Sequence, residues 1–455
     1  MLILQILTTK GRNFRFVLPI MTLGISLLTC ACGYESSSRA TSSRAAAPAL
    51  PPAAPLGADN KTMDAAIRQL EERIRRDPED FVALNRLADA YLQRTRETGS
   101  ADYIALAARA ARASLASVPE VRNAGGLAAL TQAEFASHNF ISARDHALRL
   151  TELDPGKSYP YALLGDALLE LGAYDEAAAA FKQMERKAGG ISHGSEARHA
   201  RLAFLRGDTA SASRHFTTAL ALALDLPAPP REAVAWYRWQ LGETAFATGD
   251  YVAAERHYRD ALTTFPDYLR AIASLGRVRA AQGDIKEAIE YYERAVSRVP
   301  DAVFVAMLGD LYKLAGREKE ADAQYRLVEQ IARLSAANGV IYNRQLALFY
   351  ADHDLKAEEA FVNATKEYDG RRDIYGADAV AWTAFKAGKI EEAQAAMRDA
   401  LRLGTKDAML FYHAGMIARA AGDERAARDY LHRALELNPQ FAPLQAAIAR
   451  RALGG

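Results

Sequence analysis

Apolar and polar positions along this chain recur with two periods, one nested in the other. Over short stretches apolar residues fall three or four apart, as in Ile67, Leu70 and Ile74, which share one helix face. Over longer stretches the whole pattern returns after 34 residues. Between Ala235 and Ala302 it is written twice. Leu241-Gly242 precede Ala245, Gly249, Tyr251, Ala254, Tyr258, Ala261 and Pro266; Leu275-Gly276 precede Arg279, Gly283, Ile285, Ala288, Tyr292, Ala295 and Pro300. Small residues stand where two helices approach closely, and large apolar ones fill the spaces beside them. The proline closes each unit because it cannot continue a helix. Each unit predicts a pair of helices.

Aligned on the small residue at the helix crossing, ten units run through Ala88, Thr131, Gly165, Ala200, Gly242, Gly276, Gly309, Ala347, Ala381 and Gly415. Six of the nine gaps lie within one residue of 34, and the other three contain insertions. Arg94–Asp102 reads as a polar linker between the helices of unit one. In Leu222–Arg231 three prolines, Pro227, Pro229 and Pro230, must break the helix. The third insertion lengthens the second helix of unit seven through Arg333 to Asn338-Gly339, a natural stop. Unit nine has Thr405 where proline is common. Unit eight departs most, with Asp354 at the usual glycine position and Ala357 and Ala360 out of phase. Phe441–Leu453 predicts a terminal helix covering the last unit.

Leu-Gly, then A-x3-[FY]-x2-A, then proline at a period of 34 resembles the tetratricopeptide repeat. The resemblance covers about Lys61 to Gly455. It implies an all-α, right-handed superhelical solenoid of about ten helix-turn-helix repeats with a C-terminal capping helix, filling residues 61–455. Such an array grows in one dimension, each repeat touching its neighbours. In this family the first helix of each repeat lines a concave groove, with repeat positions 2, 5, 9 and 12 pointing inward. Carried over, unit five presents Trp236, Trp239, Glu243 and Phe246, and unit four Arg201 and Phe204. Unit six presents Arg270 and Arg277, unit seven Asp310 and Lys313, unit nine Trp382 and unit three Asp166. Tryptophan and arginine dominate interface hot spots, so the Trp236/Trp239 stripe is a candidate anchor. Packing across the joint beneath the proline-rich insertion is the alternative. The carboxylate clamp of chaperone-binding repeats needs Lys and Asn at positions 5 and 9; Trp239/Glu243 and Ala273/Arg277 stand there instead. A groove of both charge signs suits an extended peptide or a helix of a partner protein.

The first sixty residues differ. Lys10, Arg12 and Arg15 precede an apolar run from Phe16 to Leu28 and the small residues Thr29-Cys30-Ala31-Cys32-Gly33. That order reads as a secretory signal over residues 1–32, too short and too broken by Pro19 and Gly24 for a comfortable membrane span. A cysteine just after the apolar segment resembles a bacterial lipoprotein signal, with Cys30 or Cys32 as the lipidated residue. An uncleaved anchor and a soluble secreted protein are the alternatives. Neither Ala31 nor Gly33 resembles the aspartate that retains lipoproteins in the inner membrane. The resemblance therefore implies the bacterial cell envelope, at the outer membrane facing the periplasm. Residues 33–60, rich in Ser, Ala, Pro and Arg, predict a disordered tether.

Charge and chemistry narrow the function. With 57 basic and 56 acidic residues the net charge is +1, which gives no electrostatic case for nucleic acid. Cys30 and Cys32 are the only cysteines, so the body has no disulfide, thiolate metal site or cysteine nucleophile. Gly190-Ile191-Ser192-His193-Gly194 spells the nucleophile-elbow string, but that chemistry needs a strand feeding the serine, and here the string lies between helices. Asp352-His353-Asp354 reads as a solvated turn. His193 and His199 lack metal-pair spacing, and no H-E-x-x-H, phosphate loop or dinucleotide fingerprint occurs, so neither metal nor cofactor is expected. The expectation is a non-catalytic protein-binding scaffold anchored in the envelope. A peptidoglycan or other glycan binder using the unit-five aromatics is the alternative, and a hydrolase using Ser192 the less favoured one.

Overall fold

The computed structural model describes residues 60–337 and 344–454. The expected signal with Cys30 and Cys32, nearly all of the tether, and the Asn338-Gly339 stop lie outside the described residues. Those described form 22 α-helices and no strand. After an entry helix, Asn60–Arg76, come ten pairs. Repeat 1 joins Phe81–Thr98 to Asp102–Ser117, repeat 2 Ala124–Ala136 to Phe140–Leu153, and repeat 3 Tyr159–Glu170 to Tyr174–Ala188. Repeat 4 joins His193–Leu205 to Thr209–Leu224, repeat 5 Arg231–Ala247 to Tyr251–Thr264, and repeat 6 Leu269–Ala281 to Ile285–Arg298. Repeat 7 joins Ala302–Leu314 to Glu318–Ala337, and repeat 8 Arg344–Asp352 to Ala357–Gly370. Repeat 9 joins Ile374–Lys386 to Ile390–Ala400, and repeat 10 Ala408–Ala420 to Glu424–Leu437. The helix Gln445–Ala452 closes the array.

One backbone device makes every turn inside a repeat. From repeat 2 to repeat 10 a residue in the left-handed conformation stands at the same place: His138, Gly172, Gly207, Gly249, Gly283, Gly316, Asp354, Gly388 and Gly422, with Lys356 a second one in repeat 8. Glycine adopts it without strain and so dominates the column. Where an aspartate follows, its side chain caps the second helix, as Asp250 does by accepting from the Ala253 N–H at 2.9 Å.

The crossing column is equally strict. A methyl group on Gly165, Gly242, Gly276, Gly309 or Gly415 would lie 2.2–2.7 Å from Phe181, Tyr258, Tyr292, Tyr325 or Leu431 respectively. Gly242→Ala tests this packing. Alanine favours a helix by about 1 kcal/mol, but Tyr258 is fully buried and cannot withdraw its ring; a net loss of about 1–2 kcal/mol is expected in urea denaturation.

Three local expectations need correction. Arg94–Asp102 is mostly helix, because Thr95 Oγ1 bonds Tyr91 O and Arg94 pairs with Glu97 one turn on, leaving only residues 99–101 to connect. Repeat 8 keeps the common turn: Asp354 is left-handed, and one extra residue, Lys356, resets the phase so that Ala360 is fully buried. The terminal helix begins at Gln445 rather than Phe441, since Pro443 biases Ala442 away from helical backbone.

A larger correction concerns the one-dimensional array. After five repeats the chain meets itself. The inner turn of repeat 3 abuts the connection after repeat 8, repeat 4 that after repeat 9, and repeat 5 that after repeat 10. At these joints Tyr174 Oη accepts from Ile374 N–H at 2.9 Å, Thr405 Oγ1 donates to Leu205 O, and Asn438 Nδ2 donates to Phe246 O at 2.7 Å. Gly172 and Gly207 are so close to the second turn of the solenoid that a methyl group would lie 2.1 Å from Arg372 O and 2.4 Å from Gly404 O. One apolar cluster accordingly combines Tyr174, Phe181 and Leu205 with Ile374, Met397 and Leu410.

Candidate functional site

The first helices of repeats 4–7 supply the groove positions, and their side chains are held by one another. Trp236 is only 6% exposed and meets Phe216 and Tyr237 edge-on, so it is part of the core beneath the proline-rich joint. Trp236 is thus the packing residue of the two alternatives and not an exposed anchor. Trp239 differs. It is half-buried, its Nε1 donates to Ser274 Oγ at 3.0 Å, and the Arg270 guanidinium lies 5.2 Å from its ring centre. Glu243 gathers three donors, the Tyr258 hydroxyl at 2.6 Å, Ser274 Oγ at 3.0 Å and Arg277 Nη2. Arg277 also covers the Phe246 ring at 4.1 Å, so Phe246 is closed off by it. The structure thus brings Trp239, Glu243, Phe246, Arg270 and Arg277 into one cluster across repeats 5 and 6.

The other candidates serve different neighbourhoods. Arg201 is bound to Glu170, Phe204 is half-buried, and Asp166 is held by both arms of Arg198 at 2.8 and 2.6 Å. Asp310 is buried, accepting from Tyr325 at 2.7 Å and meeting His353 Nε2 at 2.8 Å, while Lys313 is exposed. Trp382 is buried, its Nε1 on Asp352 and its ring stacked 4.1 Å from His413. Asp352 and His353 therefore belong to packed helix ends, contrary to the solvated turn expected; only Asp354 faces water. No group of three metal-ligating side chains occurs among the described residues. Ser192 is a helix cap: its Oγ accepts from the Ser195 N–H at 3.1 Å, and Ser195 returns the bond. Ser192→Ala should cost about 1 kcal/mol of stability, read by thermal melting.

Histidines give the array a pH response. Burial works against a proton on His413, but Asp378 at 2.8 Å, then Asp352, outweigh it and raise its pKa; Asp310 does the same for His353. A raised folded pKa means stability fully present below the unfolded value of about 6.5 and lost as pH rises through the folded pKa. His413 should therefore contribute more stability near pH 6.5 than at mildly alkaline pH, so the loss in denaturation midpoint caused by His413→Gln should be larger at about pH 6.5 than at about pH 8.5.

A solenoid of paired helices with a cluster of polar and aromatic side chains along its first helices is a helical-repeat scaffold. Profiles of the tetratricopeptide repeat match residues 195–267 and, separately, 128–190, 239–303, 274–333 and 380–454. These spans cover more than half of the sequence, and the chain belongs to the tetratricopeptide repeat family, whose members are generally non-catalytic interaction scaffolds. It is similar to the photosystem I assembly protein Ycf3 of Rippkaea orientalis, 32% identical over 113 residues. That match spans 22% of this chain and 64% of the relative, less than two thirds of its length. Among solved structures, the human IFIT1 dimer with PPP-AAAA is similar at a TM-score of 0.43 and 14% identity, over 84% of this chain and 96% of that one. The APC/C hetero-tetramer Cut9-Hcn1 is similar at a TM-score of 0.33 and 14% identity, over 86% and 94%.

Sequence reasoning missed the joints between turns. Tyr174, Glu170, Arg371 and Asn438 carry no shared motif; the one written signal was Thr405 at a position where proline is common.

Proposed function

We propose that this protein is a non-catalytic scaffold of the bacterial envelope that holds a segment of a partner protein against the first helices of repeats 5–7. The observation that carries the reading is the Trp239–Arg270 pair: a half-buried aromatic with a guanidinium over its face and an exposed Lys313 one repeat further on. Tryptophan and arginine in such settings are the residues whose loss costs interfaces most. Arg270 has no carboxylate within ion-pair distance among the described residues, whereas Arg277 is committed to Glu243. An acidic or mixed-charge segment would meet the Arg270 guanidinium there. Lipidation of Cys30 or Cys32 would tie the scaffold to the outer membrane, each buried methylene adding about 0.8 kcal/mol. The resemblance to a protein named for assembly agrees with this reading.

The test places a photo-crosslinking amino acid at position 239 in intact cells and identifies captured proteins by mass spectrometry. A specific envelope protein, lost when Arg270→Ala is added to a still-helical chain, is the expected result. Unchanged capture with Arg270→Ala removes the cluster from the interface, and retention on isolated cell-wall sacculi without protein capture would favour the glycan reading.

A further inference from the structure

Most polar side chains of the groove cluster satisfy one another: Trp239 and Glu243 both meet Ser274, and Glu243 also takes Tyr258 and Arg277. Two groups beside them stand outside that network. Arg270, in the first turn of the helix Leu269–Ala281, donates to no acceptor among the described residues. Tyr268, the residue just before that helix, is 3% exposed, and its hydroxyl has no hydrogen-bond partner in the protein. Buried hydroxyls are rarely left so, because nothing replaces the water they give up.

The two groups belong to one place. The charges of Arg270, Glu232 and Glu243 all act on the Tyr268 hydroxyl, and burial pushes its phenol up, so it stays a protonated donor. Glu232 does not fill the site. It stands 3.8 Å from Arg96 of repeat 1 and acts on Arg270 only from beyond ion-pair distance, so the two guanidiniums share one carboxylate. Arg270 is also well placed to receive another. Its guanidinium lies over the Trp239 ring, 5.2 Å from the centre, and Trp239 is itself tied down by the bond from Nε1 to Ser274 Oγ. A guanidinium resting on an aromatic face keeps its fork of in-plane N–H donors, which matches the two oxygens of a carboxylate.

We infer that Arg270 and Tyr268 form a receptor for one carboxylate of the partner segment, the guanidinium taking both its oxygens and the tyrosine hydroxyl donating a further hydrogen bond. The inference rests on the groove reading above and adds the chemistry of the group that is bound. The site stands at the rim where the helix Leu269–Ala281 begins, not at positions 5 and 9, where Ala273 and Arg277 replace the residues of the carboxylate clamp. The carboxylate is that of an aspartate or glutamate side chain or of a chain's C-terminus.

The test exposes the immobilised full chain to a pool of short random-sequence synthetic peptides, made both as free acids and as C-terminal amides. Mass spectrometry reads the retained sequences, and fluorescence anisotropy then titrates the strongest binder. The retained pool should be enriched in aspartate, glutamate or free C-termini. Converting the recognised carboxylate of that peptide to its amide should weaken binding roughly 10- to 100-fold. Arg270→Gln should do the same, and the two changes together should do no more. Tyr268→Phe should weaken the acidic peptide several-fold and leave its amide form unaffected, with the helix content of both variants unchanged by circular dichroism. Loss on Glu→Gln or Asp→Asn in the peptide assigns the carboxylate to a side chain, and loss on C-terminal amidation to a chain end; either supports the receptor. A retained pool with no excess of acid, or an acidic peptide with the same Kd for wild type and Arg270→Gln, overturns the inference and leaves the groove a peptide binder. A chain that retains no peptide overturns both.

Discussion

Glu170→Ala lowers the unfolding free energy by about 3–5 kcal/mol, among the largest effects expected from one substitution in this chain. The cost is not that of one surface ion pair. Glu170 is wholly buried, and its removal leaves the guanidiniums of Arg201 and Arg371 without the carboxylate that both contact. Arg371 keeps Asp373, but Arg201 keeps no other carboxylate within ion-pair distance among the described residues. Urea denaturation followed by circular dichroism reads the loss. Adding Arg201→Met should recover part of it, since the buried charge left uncompensated is replaced by an apolar side chain. A loss below about 1 kcal/mol would mean that water reaches this network as it reaches a surface pair.

The second large effect is a contrast between two left-handed glycines at the same place in their repeats. Gly172 and Gly283 are both left-handed, with φ of 75° and 87°. Gly283→Ala should cost only the left-handed penalty, about 1–2 kcal/mol. Gly172→Ala carries the same penalty and also drives a methyl group to 2.1 Å from the Arg372 carbonyl oxygen, main chain that cannot rotate aside. Overpacking of that kind adds about 1–3 kcal/mol. The difference between the two midpoints therefore isolates the seam between the two turns. Equal losses would show that the second turn does not press on repeat 3.

The repeat was legible because it is a local contact written ten times. Gly242 and Tyr258 meet inside one hairpin, the same meeting recurs at Gly276 and Tyr292, and so the period of the sequence reports the packing. Even repeat 8 kept the turn, its missing glycine replaced by Asp354 in the same left-handed conformation. Trp239, Glu243 and Arg277 were legible as one stripe for the same reason. Trp236 was legible only as a choice between anchor and packing, because what settles it is contact with Phe216 of the preceding repeat. The seam was least legible of all. Its partners stand far apart in sequence and each contact is made once, so no periodicity carries it. Thr405 shows how faint the trace is: it appeared only as a lapse from proline, yet it is fully buried and bonds Leu205 O across the seam.

The central claim is that the solenoid closes on itself after five repeats. Zero-length carbodiimide crosslinking of the purified full chain tests it most directly. Lys406 lies against Gly207, its Cγ 3.4 Å from a built methyl group there, and its charge acts on the neighbouring Asp208. The account predicts joined peptides carrying Asp208 and Lys406 in protein that migrates as a monomer, and their loss in Lys406→Gln. Crosslinks confined to adjacent repeats, with Asp208 and Lys406 never joined, would contradict it.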